Sequence, residues 1–188
     1  MTGNSASTAS SGKSRKSRLS SPLKRLRPIS LRRYKRSGKQ SVAVRAVIDT
    51  NIWVSSLINP FGFPARLRKA FAEGAFHLVI SEPLIEELGE VLARPRIRDR
   101  YGITDEDIRD ILSLIDELSD NVLLRNDVAI CRDQDDNAVI ETAIKGQAQY
   151  LITGDDDIKF DEKVASFLAS HGVTVVSLSK FLSVIDKA

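Results

Sequence analysis

An α/β fold, a three-layer α/β/α sandwich around a central, mostly parallel five-stranded sheet, is the class this sequence predicts. Three observations predict it. From Val42 onward short apolar runs alternate with segments of helical periodicity, polar or Gly-containing turns bound the runs, and acids stand directly behind two of them. The predicted strands are residues 44–48, 76–80, 122–124, 149–153 and 173–176. Between them, residues 65–73 read as a helix. Ser81 is placed to cap a helix over residues 82–93, whose Leu84, Ile85, Leu88, Val91 and Leu92 share one face. Thr104 with Asp107 three residues on is a capping-box start for Ile108, Ile111, Leu112, Ile115 and Leu118. Helical spacing returns over residues 136–145 and 161–169, and residues 179–185 read as a short terminal helix. No internal repeat is present.

Charge divides the 188-residue chain in two. Residues 1–41 hold 12 basic residues and no acid, whereas residues 42–188 hold 16 basic against 25 acidic ones, a net of −9. One domain is therefore expected over 42–188, a length within the ordinary range for a single core. The leader has eleven Ser and only scattered Leu, so it cannot bury enough apolar surface to offset the entropy of ordering and is expected to be disordered. Other readings stay open. Its composition resembles an organelle transit peptide, although Pro22 and Pro28 oppose the amphipathic helix such a peptide favours. Its Lys and Arg residues suit nucleic-acid phosphates, and a misassigned start, with translation beginning near Val44, would make it irrelevant. The single Cys131 excludes an intramolecular disulfide and a thiolate metal cluster, pointing to a reducing, cytoplasmic setting. No apolar run approaches the ~20 residues that span a bilayer, so no membrane partner is expected.

Four carboxylates stand where the fold would prefer something else. Asp49 follows the first strand and Asp155 the fourth, at the carboxyl ends where open α/β sheets place ligands. Asp49 has a plainer role available as a cap for the following turn. On a helical wheel with Leu84 at 0°, Glu87 falls at about 300°, beside the apolar stripe, while Glu86 and Glu90 fall at about 200° and 240°. Asp136 heads the face carrying Val139, Ile140 and Ala143, although Asp133, Asp135 and Asp136 are all eligible to cap that helix. Two carboxylates ~5 Å apart repel by roughly 3 kcal/mol at an effective dielectric near 20. Convergence would thus require protonation or a hard divalent cation, and oxygen-only donors suit Mg²⁺ or Mn²⁺ better than Zn²⁺. His77 and His171 lack metal-ligand spacing and read as structural or exposed.

V-I-D-T-N at 47–51, S-E-P-L-I-E-E-L at 81–88, R-D-Q-D-D-N-A at 132–138 and Y-L-I-T-G-D-D-D at 150–157 together resemble the PIN-domain (PilT N-terminus) family, in its toxin–antitoxin branch. The resemblance runs from about Val44 to Ile185. It implies an α/β/α sandwich and metal-dependent endoribonuclease activity on RNA, with Asp49, Glu87, Asp136 and Asp155 as the catalytic acids. Asp49 and Asp136 would be the primary metal ligands, with Asp155 and Glu87 holding metal or waters. Thr50, Asn51 and Thr153 would orient these carboxylates, Asp157 matches a less constant acid, and Ser81 the serine at the helix start. Glu86 could replace Glu87, and Asp133 or Asp135 could share the work of Asp136.

The resemblance further implies a cognate antitoxin and a homodimer. Trp53, Phe61 and Phe63 are expected to be exposed apolar residues serving such contacts, unless they pack in the core. RNA phosphates would find Arg66, Arg68 and Lys69 on one helix and Arg94, Arg96, Arg98 and Arg100 after another, unless these form an ordinary solvated rim. A phosphoacceptor receiver is excluded by the missing acid pair at the first strand. A haloacid-dehalogenase phosphatase is excluded because Asp49 is followed by Thr50, Asn51 and Ile52, and a dinucleotide oxidoreductase by the want of Gly-x-Gly-x-x-Gly. A catalytically silent PIN-like RNA- or protein-binding module is the alternative.

Overall fold

In a computed structural model of the chain, the described residues are 44–59, 61–131 and 134–187. The basic leader and Asp133 lie outside them. The elements in chain order are β1 (Arg45–Ile48), α1 (Thr50–Ile58), α2 (Gly62–Ala72), β2 (His77–Ser81), α3 (Glu82–Ala93), α4 (Pro95–Tyr101), α5 (Asp105–Leu118), β3 (Asp120–Val122), α6 (Gln134–Lys145), β4 (Tyr150–Ile152), α7 (Asp156–Phe160), α8 (Glu162–Ser170), β5 (Thr174–Val176) and α9 (Leu178–Ile185). The strands form one sheet in the order β3-β2-β1-β4-β5. Every pairing is parallel, so the sheet is wholly rather than mostly parallel. β1 lies at its centre, between β2 and β4, where the order of connection reverses.

Both faces of the sheet are covered, as an all-parallel sheet requires. Leu78, Ala46 and Tyr150 are register neighbours and share one face. Tyr150 there meets Phe181 of α9, and Phe181, Phe76, Phe71 and Trp53 continue as a string of ring contacts into α2 and α1. Val79 faces the other way, toward the end of α6, where Gly146 is the only residue type that fits. A Cβ on Gly146 would stand 2.1 Å from Val79 Cγ1. Strand side chains supply the middle of the core: Ala46, Val47, Leu78, Val79, Leu151 and Ile152 are all fully buried.

Three helices escape the sequence reading. α1 begins Thr-Asn-Ile-Trp-Val, a run of weak helix formers. Burial of Trp53, Val54 and Leu57 and an N-cap from Asp49 outweigh that preference. Trp53, 2% exposed, is thus a core residue, correcting its placement on the surface; Phe61 (82%) and Phe63 (49%) are exposed as expected. α4 has seven residues with Pro95 at its start and no buried member, and α7 has five, too few for a period to show. The third strand lies two residues earlier than predicted. Among the described residues it is an edge strand, paired only with β2, and Arg45 holds its first residue, Asp120, by a salt bridge, so apolar residues do not mark it.

Candidate active site

The register of β1 on β4 builds the centre of the site. Ile48 pairs with Ile152, and the next residue, Asp49, donates its N–H to the Ile152 carbonyl at 2.9 Å. Asp49 leaves the sheet beside Thr153, at the carboxyl edge and the point where the strand order reverses, the place where such sheets bind ligands. Its side chain is 8% exposed. Oδ1 accepts from the Asn51 N–H at 2.8 Å, and Oδ2 accepts from the Thr153 hydroxyl at 2.8 Å. The capping role is therefore real, and it occupies only part of the carboxylate, since each oxygen carries two lone pairs.

The same bonds run on into β4 and α3. Thr153 Oγ1 accepts from the Asp155 N–H at 2.9 Å, and Asp155 Oδ1 accepts from the Asp157 N–H at 2.7 Å. Asp155 thereby caps the short α7. From the other side, the Thr50 hydroxyl donates to Glu87 Oε2 at 2.6 Å. Thr50 and Thr153 are both buried, so one hydroxyl fixes Glu87 and the other fixes Asp49. Among the α3 acids Glu87 is half-buried, whereas Glu86 and Glu90 are exposed.

Asp136 sits half-buried in the first turn of α6, ahead of buried Val139, Ile140 and Ala143. α6 packs on β1, β2 and β4, and as the crossover between parallel β3 and β4 it returns against their direction, so its N-terminus lies at the carboxyl edge. Asn137 anchors the entering chain by accepting from the Ile130 and Cys131 N–H groups, both at 2.8 Å. The topology thus brings Asp49, Glu87, Asp136 and Asp155 to one edge. No Lys or Arg among the described residues pairs with Asp49, Glu87 or Asp155.

Ser81 and Asn51 act otherwise than expected. Ser81 is N-cap to α3 by position, but its hydroxyl makes no capping bond. It meets the Thr142 hydroxyl of α6 at 2.7 Å, and Thr142 in turn donates to the Ala138 carbonyl at 2.7 Å. The helices bearing Glu87 and Asp136 are thereby tied together. Asn51 serves Asp49 through its backbone, and its side chain is exposed. Glu141 is a position that sequence patterning does not mark. It is 1% exposed and accepts the Arg125 N–H at 2.7 Å, holding the segment after β3 against α6. Nothing in its wheel position, off the apolar stripe, announces this. Nearby, the hydrogen-bonded Lys145 ammonium holds the Asp127 carboxyl below its ordinary 3.8.

The basic residues divide. Arg68 Nη1 donates to the carbonyls of Ser56, Leu57 and Asn59 at 2.8, 3.3 and 3.0 Å, closing the end of α1. Arg66 pairs with Asp186 and lies over the Phe63 ring, and Arg98 pairs with Asp105. Lys69, Arg94, Arg96 and Arg100 are exposed. His171 caps the end of α8 with its ring tilted against Phe167, and His77 opens β2 half-buried.

Among the described residues no three His, Cys, Asp or Glu side chains stand close enough together to hold a metal ion as they are. The donor set here is oxygen only, the chemistry a hard cation such as Mg²⁺ takes through one or two carboxylates plus water and substrate phosphate rather than in an all-protein cage.

A wholly parallel α/β sheet carries Asp49 and Asp155 past the carboxyl ends of adjacent strands, an arrangement consistent with a nuclease-type fold. The family model of the PIN domain matches residues 45–157, a stretch that contains all four acids, and the chain belongs to that family. An uncharacterized protein of Methanocaldococcus jannaschii is 31% identical over 119 residues, 63% of this chain and 76% of that protein. No solved structure matches the chain. No helix among the described residues is long and apolar enough to cross a membrane.

Proposed function

We propose that the protein is a Mg²⁺- or Mn²⁺-dependent endoribonuclease and the toxin of a toxin–antitoxin pair. The observation that carries the reading is the hydrogen-bond chain that presents Asp49 and Asp155 from adjacent strands, with Glu87 brought to the same edge through Thr50. Asp49 and Asp136 would hold the cation directly, with Asp155 and Glu87 holding it through waters. When bound, the cation lowers the pKa of the attacking water and offsets charge on the phosphate.

The chain's own contribution is positional. Thr153 and the Asn51 N–H leave Asp49 one orientation, so its remaining lone pairs point consistently. Thr50 does the same for Glu87. Burial of Asp49, Thr50 and Thr153 keeps bulk water from competing for these bonds. The exposed Arg94 and Arg96 supply phosphate contacts without base readout. Arg66 and Arg68 contribute less to RNA, since their guanidinium groups already serve Asp186 and the end of α1. Exposed Phe61 and Phe63 are the residues offered to an antitoxin or a second copy.

The catalytically silent alternative draws on the lack of a ready-made three-acid group among the described residues. Two experiments separate the readings. Purified wild-type protein should cleave single-stranded RNA with Mn²⁺ and not with chelator, and Asp49→Asn should be inactive. Equal cleavage by both proteins, or by neither, ends the enzymatic reading. Induced expression of wild type, but not of Asp49→Asn, should arrest growth of a host lacking the antitoxin.

A further inference from the structure

Between α3, α5 and the end of β3 lies a groove of about 640 Å³, lined by Ile85, Leu112, Val122 and Leu123 and by Glu82, Glu86 and Asp116. It is apolar on its floor and acidic on its walls. Leu123 is 83% exposed at its mouth. Asp116 accepts from the Asn121 side chain, and all three carboxylates are exposed and without a salt bridge to any described residue. Two other exposed apolar side chains, Phe63 and Phe160, differ in what flanks them. Arg66 lies over Phe63 and Lys159 over Phe160, so those sites repel a cationic segment. Leu123 is the exposed apolar side chain set among anions.

We propose that this groove binds the chain's own basic leader, through residues 19–33. That stretch places Leu19, Leu23, Leu26, Ile29 and Leu31 three or four residues apart or closer, with Lys24, Arg25, Arg27, Arg32 and Arg33 among them and no acid. It matches the groove in both characters. The apolar side chains take the floor, and the cations meet Glu82, Glu86 and Asp116. Such pairs on a partly apolar surface are less screened than fully solvated ones.

Chain length permits it. Arg45 is level with His77, and Ser81 is level with Val122, so the groove lies two strands across and about five residues along from the start of β1. At ~4.8 Å per strand and ~3.3 Å per residue this is roughly 20 Å. The eleven residues from 34 to 44 reach about 36 Å when extended, well beyond what is needed.

Carbodiimide condensation of the full chain tests this, because it joins a lysine amine to a carboxylate as an amide only where the two already touch. Peptide mapping of a mixture of unlabelled and ¹⁵N-labelled chain distinguishes links within a chain from links between chains. The expected products join Lys16, Lys24 or Lys35 to Glu82, Glu86 or Asp116 within one chain, and about 0.5 M salt lowers their yield several-fold by screening. Glu82→Gln, Glu86→Gln and Asp116→Asn together remove those attachment points. In that triple variant the leader's lysines should stay unlinked rather than shift to other acids. Leu123→Ser, which leaves every charge in place, should lower the yield in the otherwise wild-type chain. Links spread over the domain's exposed acids, links found only between copies, or a yield that Leu123→Ser does not lower would each overturn the proposal.

Discussion

The Thr153 hydroxyl donates to Asp49 Oδ2 at 2.8 Å, a buried bond between residues 104 apart in sequence. It exists because β1 and β4 are register neighbours and each ends one residue before its polar group. Thr153→Val keeps the shape and removes the donor. Stability should fall by about 1 to 3 kcal/mol, the usual penalty for stranding a buried acceptor. RNA cleavage should fall by about 10- to 100-fold, as when the partner of a metal-binding carboxylate is lost. Denaturant unfolding and initial cleavage rates measure the two effects separately, and Thr153→Ser should restore most of both.

Glu87 depends on Thr50 in the same way but stands half-exposed, so water can replace the lost donor. Thr50→Ala should therefore lower cleavage more than stability, with Thr50→Ser near wild type. An unfolding midpoint that drops while the cleavage rate holds would reverse that assignment.

Gly146 is constrained by Val79 at 2.1 Å from the position of a Cβ. Gly146→Ala should destabilise the fold by about 1 to 3 kcal/mol, the range for overpacking a filled core. Val79→Ala in the same chain should recover part of the loss. Thermal unfolding of the two single variants and the double variant checks the coupling.

Asp127 is held below its ordinary 3.8 by Lys145, so its contribution to stability is present above that value and fades as pH falls through the lowered one. The pair is exposed and its effect small. Lys145→Met should unfold slightly more easily than wild type at about pH 5, and the two should converge near about pH 2, once the carboxyl is protonated. A gap that stays constant over this range would locate the effect of Lys145 elsewhere.

What could be read in the sequence was what periodicity records. Asp49 directly after one buried strand and Asp155 in the turn after another stand out as acids at strand ends, and Glu87 and Asp136 stand out because each lies on or beside an apolar stripe. β3 was misplaced because an edge strand has little reason to be apolar. α1 was missed because Thr50, Asn51, Ile52 and Val54 are poor helix formers, and its stability comes from an Asp49 cap and a buried Trp53 that only the assembled fold supplies. The Ser81–Thr142 bond and the Glu141 anchor join helices to distant segments and leave no local trace.

Binding of Mn²⁺, followed by electron paramagnetic resonance as free ion is lost, tests most directly whether the acids at the sheet's carboxyl edge act together. Wild type should bind with an affinity that falls at least about tenfold in Asp49→Asn and in Asp136→Asn, while Glu90→Gln, on the solvent face of α3, leaves it unchanged. Equal binding by wild type, Asp49→Asn and Asp136→Asn, or none by wild type even with RNA present, would contradict the account.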